Sequence, residues 1–250
     1  MRLRSNNIAQ SRRTEAGFTM VEIAISLAIV AFALVAILGV LPTGMTVQKD
    51  NREDTQMKVD GLYFLDGIRN GTRGLDDITN YVEEVRVVLT SDGKTVSDFA
   101  YTNLNAEQII GILGTPKYPL GLGNPGLVNR VTARVRGISG AAAEKTTRDY
   151  DIAFRFEIES EVVPVVPLNI DDLSSGWQIY SSGIEANLHD LRLTVRWPVF
   201  EKGLNNWTVG RNKKVLSTMV AGQVTRTNYP LVDLPAYFFE LNQYANAPGL

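Results

Sequence analysis

Residues 18–41 read FTMVEIAISLAIVAFALVAILGVL, and this stretch decides how the chain folds. From Ile23 to Leu41 no residue is charged and only Ser26 is polar. The run is apolar on every side of a helix, which excludes an amphipathic surface helix. A helix from residue 18 to 41 spans roughly 36 Å, more than the about 30 Å of a bilayer's hydrocarbon core. The stretch therefore predicts a transmembrane helix.

The charges on the two sides of this helix predict its orientation. The first 17 residues carry a net charge of +3, and Arg12 and Arg13 stand just before the apolar run. The distal flank, residues 49–54, mixes basic and acidic residues. Because positive charge is retained on the cytoplasmic side, we expect a cytoplasmic N-terminus and a periplasmic C-terminal part, with the chain in the inner membrane as a single-pass protein.

The composition excludes several classes of function. The chain has 250 residues, 44% hydrophobic and 21% charged, enough for one membrane segment and one domain with a core. It has no cysteine, which excludes disulfides, cysteine-ligated metals and thiol nucleophiles. His189 is the single histidine. The 21 basic and 26 acidic residues after position 17 indicate no nucleic-acid partner. We predict no enzyme activity, no cofactor and no metal.

Two ordinary explanations of an apolar N-terminal run compete here. A secretory signal peptide has a shorter apolar core followed by a small-residue cleavage site. This run is longer and leads into Pro42-Thr43-Gly44. An uncleaved signal anchor fits the hydropathy equally well.

Glu22 is the feature that a plain anchor does not explain. A carboxylate at the bilayer centre costs on the order of 2.5–3.5 kcal/mol, and less near the interface, so it needs a partner. If the chain is cut after Gly17, the new α-amino group of Phe18 lies one helical turn from Glu22 and supplies the opposite charge. In a bundle of such helices, a neighbour's amino group supplies the same charge.

The segment Gly17-Phe18-Thr19-Met20-Val21-Glu22 resembles the cleavage and methylation motif of type IV prepilins and type II secretion pseudopilins. The resemblance covers about residues 12–42 and is only architectural beyond them. It implies that Gly17 is the last residue of a leader removed by prepilin peptidase. It also implies that Phe18 becomes the N-methylated first residue and that Glu22 is the carboxylate used in assembly.

The resemblance implies a structural subunit of a type IV pilus-like or pseudopilus filament. Its partners are the prepilin peptidase/methyltransferase, the inner membrane and other pilin-like subunits that pack through the N-terminal helix. After removal of residues 1–17 the chain would keep 233 residues, which is large for a major pilin and favours a minor subunit. The rivals are a membrane-anchored extracytoplasmic binding or sensor domain with an uncleaved anchor, and an anchored enzyme.

The rest of the chain predicts an α+β fold, in which the long N-terminal helix packs on a mostly antiparallel sheet. We expect a leader over residues 1–17, the transmembrane helix over 18–42, its continuation over 43–70, and a periplasmic β-rich domain over 71–250. Pro42 predicts a kink or an end of the helix. A stripe of Thr55, Val59, Leu62 and Leu65 predicts the face that packs on the domain, and Asn70-Gly71 predicts the helix end.

Period-two segments predict strands over residues 84–89, 130–136, 150–163, 188–197 and 214–220. Turns are expected at 91–94 and 210–212, and Pro198 is expected to end its strand. A helix over 105–113 with Asn105 as N-cap is predicted. Residues 114–126 read as a loop, and the tail from Tyr229 reads as a surface loop with a helical turn near 237–241.

Three motifs with possible chemistry are better explained without it. Residues 121–126 spell G-x-G-x-x-G, but prolines interrupt them and a strand-like segment follows, so we predict a loop. His189 is expected at the surface or at a sheet edge. The acidic pairs at 76–77 and 171–172 sit in no recognisable calcium loop and are expected to be solvated.

Overall fold

The computed structural model of the chain describes residues 17–71, 76–120, 126–138, 154–165, 175–203, 206–229 and 233–245. The chain divides into two compact units, Met1–Arg52 and Glu53–Leu250. The helices are α1 (Met20–Asn70), a 3-10 helix (Asp76–Asn80), α2 (Ala106–Leu113) and α3 (Ser175–Asn187). The strands are β1 (Val82–Ser91), β2 (Lys94–Tyr101), β3 (Leu127–Arg136), β4 (Arg155–Pro164), β5 (Leu188–Gly203), β6 (Asn206–Ala221), β7 (Gln223–Asn228) and β8 (Pro235–Glu240).

The strands form two antiparallel sheets. The larger has six strands in the order β2-β1-β3-β4-β5-β6, and the smaller pairs β7 with β8. With the long N-terminal helix, this confirms the predicted α+β class and its pilin-like layout. The predicted strands over 84–89, 130–136 and 188–197 lie within β1, β3 and β5.

The second half of α1 supplies one wall of the core. Met57, Phe64 and Ile68 are at most 2% exposed and follow one another at helical spacing. The predicted stripe was wrong except for Leu65, because Val59 and Leu62 are 53% and 43% exposed and Thr55 is also exposed. The buried face runs instead through two residues that a hydrophobic pattern overlooks, Asp60 and Gly61.

Asp60 and Gly61 explain why this face turns inward. A Cβ on Gly61 would lie 2.6 Å from Leu216 Cδ1, so the missing side chain lets the helix approach β5 and β6 closely. Asp60 is buried, and its Oδ2 accepts a hydrogen bond from the Ile138 amide at 3.0 Å. Lys214 of β6 donates to Asp54 at 2.7 Å, which adds a partly exposed ion pair at the same helix.

Helix α1 runs through Pro42, so the alternative that the helix ends there is wrong. The hydroxyl groups of Thr43 and Thr46 donate to the carbonyls of Val40 and Pro42, at 2.7 and 3.0 Å. The helix ends at Asn70, as predicted, and Gly71 follows with φ of 77°. Glycine adopts this left-handed conformation without strain.

Two local predictions from short-range chemistry are confirmed. Asp92 and Gly93 both have positive φ, 48° and 77°, which is the geometry of the tight turn between β1 and β2. Asn105 caps α2: its Oδ1 accepts from the Gln108 amide at 2.8 Å, and the Asn105 amide donates to Gln108 Oε1 at 3.0 Å. This reciprocal pair is a capping box.

The β5–β6 hairpin differs from its prediction. Pro198 does not end the strand, because β5 continues to Gly203 with a register shift between Trp197 and Val199. The expected turn at 210–212 lies inside β6, and the strands reverse between Gly203 and Asn206. Gly210 opposes the irregularity: a Cβ there would lie 2.5 Å from the Trp197 carbonyl oxygen. Pro198 and Gly210 thus lie close together where the register shifts, and glycine leaves room there for the proline ring.

The C-terminal part also differs from its prediction. The expected helical turn near 237–241 is strand β8, which pairs with β7. The pattern did not predict α3, whose sequence SGWQIYSSGIEAN is rich in serine and glycine. The smaller sheet packs on α2, and Phe239 joins the core.

Gly111 provides a test of this packing. Replacing a helical glycine by alanine normally stabilises a helix by about 1 kcal/mol. A Cβ on Gly111 would lie 2.5 Å from Ala236 Cβ, which cannot move without the backbone of β8. We expect Gly111→Ala to lower the free energy of unfolding by about 1–3 kcal/mol in denaturant titrations of the full chain in detergent.

Gly61→Ala is the matched control. Its closest new contact is Leu216 Cδ1, the end of a flexible side chain, so we expect a smaller loss. A Gly111→Ala variant as stable as the parent would contradict the packing of α2 on β8.

Candidate functional site: the start of the N-terminal helix

The first turn of α1 holds Glu22 by hydrogen bonds within the chain. Its Oε2 accepts from the Thr19 amide at 2.9 Å and from the Thr19 hydroxyl at 3.0 Å. The Glu22 amide in turn donates to Thr19 Oγ1 at 3.2 Å. Thr19 stands immediately before the first helical residue, Met20, so the pair is a capping box at the start of the apolar helix.

Thr19 is the functional residue that the sequence analysis missed. The signal was present, because Thr19-Met20-Val21-Glu22 has the T-x-x-E spacing of a capping box just before an apolar run. The box satisfies backbone donors that have no partner within a helix. It also gives the Glu22 carboxylate partners before any cleavage creates an amino group at Phe18.

Gly17 and Phe18 lie just before α1, outside regular structure, and both are exposed. Phe18 is 83% exposed, and a Cβ placed on Gly17 would meet no atom of the described residues within 4 Å. The peptide bond between them is therefore open to solvent and next to the carboxylate site. The structure brings the three predicted residues, Gly17, Phe18 and Glu22, into one short segment, and Pro42 lies further along the same helix.

The apolar part of α1 has no partner in the described chain. Its larger apolar side chains from Phe18 to Val47 range from 45% exposed, at Ile23, to 86%, at Met20. Among the described residues α1 is the one helix long and apolar enough to cross a membrane, and none of its apolar window is buried. The core helix of a soluble domain would be buried, so this helix needs lipid or other helices around it.

His189 is buried, which corrects the expectation of a surface or edge position. It lies on β5, inside the larger sheet, and is 5% exposed. Its ring packs against Phe239 with the centroids 5.6 Å apart, and Nδ1 has no hydrogen-bond partner among the described residues. Burial lowers the pKa of His189 to about 4. A neutral, enclosed imidazole of this kind is part of the core.

The other candidate sites contain no assembled chemistry in the described residues. There, no group of three or more histidine, aspartate or glutamate side chains could hold a metal ion. Asp76 and Asp77 are exposed on the 3-10 helix, and residues 171–172 lie outside the described residues. Most of the 121–126 motif is also outside them, and the strand β3 begins directly after it at Leu127, where a dinucleotide site needs a helix.

His189 predicts a dependence of stability on pH. Its pKa is about 6.5 in the unfolded chain and about 4 in the folded one, so the unfolded state binds the proton first. The folded state is unaffected above pH 6.5 and loses stability as the pH falls from 6.5 toward 4. We expect about 2 kcal/mol of the loss between pH 8 and pH 5 to come from His189.

The measurement is the free energy of unfolding of the full chain in detergent at several pH values. His189→Leu should remove this part of the slope while the contributions of other groups remain. An unchanged slope in His189→Leu would show that the imidazole titrates alike in both states.

Comparison with known proteins supports the assignment of the N-terminal segment. Residues 12–38 match the family model described as the prokaryotic N-terminal methylation motif. No curated protein and no solved structure matches the chain. The matched range contains Gly17, Phe18, Thr19 and Glu22, together with most of the exposed apolar helix. The methylation motif and the long apolar helix that follows it fit a type IV pilin-like protein.

Proposed function

We propose that the chain is a prepilin that becomes a structural subunit of a type IV pilus-like or pseudopilus filament. Residues 1–17 form a cytoplasmic leader that prepilin peptidase removes after Gly17, and Phe18 is then N-methylated. Residues 18–42 span the inner membrane and afterwards pack with the helices of other subunits. The domain from residue 71 lies in the periplasm and then on the filament.

One observation carries this proposal: the exposed apolar part of α1 begins with a carboxylate, Glu22, held in a capping box. A simple anchor needs the apolar surface, and an uncharged glutamine could close the same capping box without the free-energy cost of a carboxylate at the membrane edge. A helix that leaves the membrane to join other helices can use the charge to pair with a neighbour's amino terminus. The main alternative remains a binding or sensor domain with an uncleaved anchor.

The capping box sets a requirement for that pairing. The Thr19 amide belongs to the Phe18–Thr19 peptide bond, so cleavage before Phe18 and methylation of its nitrogen leave the box intact. Glu22 therefore either keeps its bonds to Thr19 and accepts a further donor, or exchanges them for the neighbour's ammonium group. A carboxylate has acceptor capacity for both sets of bonds.

Processing is the first test. Co-expression of the full chain with a prepilin peptidase should yield a mature protein whose first residue is Phe18, read by N-terminal sequencing. Gly17→Val should block the cut, because a side chain at the residue before the scissile bond must fit where glycine fits. Ala16→Val makes the same change one residue earlier and should still be processed. Full-length protein in all cases would exclude the prepilin assignment and favour the uncleaved anchor.

Assembly is the second test, and it separates the charge of Glu22 from its capping role. Glu22→Gln keeps an oxygen that accepts from Thr19 but removes the charge, whereas Glu22→Val removes both. We expect both variants to insert in the membrane and to enter filaments at least about tenfold less than the parent. If Glu22→Gln assembles like the parent, the carboxylate acts through the capping box and the charge pairing is wrong.

The size-based assignment to a minor subunit belongs to the same proposal. Its test is the number of copies per filament, measured by quantitative mass spectrometry of sheared filaments.

A further inference from the structure

The two edges of the larger sheet run in opposite directions. All neighbouring strands are antiparallel and there are six of them, so the edge strands β2 and β6 are antiparallel to each other. A second copy placed beside the first in the same orientation would therefore bring its β2 antiparallel to the first copy's β6. The sheet would continue with its pattern unchanged.

The C-terminal part of β6, residues 215–221, lacks the protection that edge strands usually have. Edge strands are commonly shielded by charged residues or proline. Residues 215–221 of β6 read VLSTMVA, without charge or proline, and Val215 and Met219 are 51% and 65% exposed. In the described parts of the chain, no backbone group outside the sheet ladder bonds to β6.

The opposite edge, β2, is also open, although Lys94 adds a charge at its start and a register shift between Leu89 and Thr90 of β1 leaves Val96 out of the ladder. Val96 is 60% exposed and Ala100 is also exposed. Its outward charge, Asp98, is neutralised within the chain by an ion pair with Arg86 of β1. No backbone group of the described residues outside the ladder bonds to β2 either.

The pairing register connects the two edges. One continuous row of partners crosses the outer face of the sheet, and both of its ends are small or apolar; from β2 to β6 it reads Ala100, Arg86, Thr132, Glu159, Thr194 and Val215. A copy added in register would set Val215 of one chain opposite Ala100 of the next.

The charges of the outer face are neutralised inside the sheet. In the neighbouring row Glu84, Arg134, Glu157 and Arg196 alternate in sign from β1 to β5, with ion pairs of 3.3 Å between Arg134 and Glu84 and 3.4 Å between Arg196 and Glu157. The interior of the face is thus saturated with partners. The two edge strands, over residues 215–221 of β6 and along β2, offer backbone hydrogen bonds and apolar side chains to a partner strand.

We propose that β6 of one copy, over residues 215–221, pairs antiparallel with β2 of the next copy, so that the larger sheet continues between adjacent subunits. The contact uses two different surfaces, so it is heterologous and can repeat from copy to copy along a filament. This inference rests on the proposed function, because the filament supplies neighbouring copies in one orientation. Backbone pairing at a sheet edge is an established mode of recognition.

Engineered cysteines test the pairing, and the absence of native cysteine makes the readout clean. Ala100→Cys combined with Val215→Cys places one thiol at each edge of the same row. Within one chain these positions are five strand spacings apart, roughly 24 Å, and a disulfide needs Cα atoms within about 7 Å. Oxidation in membranes of producing cells should therefore give covalent dimers and longer multimers of the full chain.

Thr132→Cys combined with Val215→Cys is the matched control. Thr132 lies in the same row but on the interior strand β3, so this pair should give no multimers. Multimers from the edge pair at no more than the control's level would overturn the proposal.

A third variant distinguishes a failure of the strand pairing from a failure of the proposed filament assembly. Leu38→Cys places a thiol on the exposed apolar helix, where copies associated through their helices would cross-link. Helix cross-linking without edge cross-linking would overturn the strand pairing and leave the filament subunit intact. If neither the edge pair nor Leu38→Cys cross-links, the strand pairing is overturned.

Discussion

The fold depends on the burial of one face of α1 against the larger sheet. Met57, Phe64 and Ile68 are nearly inaccessible, and each fully buried side chain of this size contributes about 1.5–3 kcal/mol. Gly61 helps the close approach, because a Cβ there would lie 2.6 Å from Leu216 Cδ1 and 3.1 Å from Val195 Cγ2, contacts that these side chains can partly relieve by moving. The same helix is exposed and apolar over its first half, so its two halves are suited to different surroundings. Its domain end is held by packing, and its other end requires lipid or neighbouring helices.

Asp60 adds specificity to this packing. It is buried and accepts a hydrogen bond from the Ile138 amide, just after β3, while its second oxygen has no partner within the described parts of the chain. A buried carboxylate is expensive unless it is bonded, so the helix cannot slide or rotate without losing that bond. The apolar contacts thus supply the stability of the interface, and one polar contact supplies its register.

The two faces of the larger sheet differ in how their side chains avoid unfavourable contact with water. The inner face is apolar and covered by α1 and α2, whereas the outer face carries charges that alternate in sign from strand to strand. Exposed ion pairs of this kind contribute little stability each, about 0–1 kcal/mol. Their effect is to leave few unpaired charges on the face. The exposed apolar side chains of β6 therefore stand out against it.

Short-range chemistry explains the predictions that succeeded. The apolar run to Leu41, the Asn105 cap, the tight turn at Asp92-Gly93 and the helix end at Asn70 each depend on residues within a few positions of one another. The failures depend on residues far apart in the chain. Pro198 stays in a strand because Gly210 opposes it, and the tail becomes a strand because α2 and β7 receive it.

The sequence by itself determined the membrane helix and the residues around the predicted cut, because a long uncharged run and a motif of six residues act without help from the rest of the chain. Only the tertiary structure decided which face of α1 is buried and where His189 lies, because these depend on which distant strands meet the helix and on what covers β5. The bonds between Thr19 and Glu22 are local, and their T-x-x-E spacing was readable from the sequence.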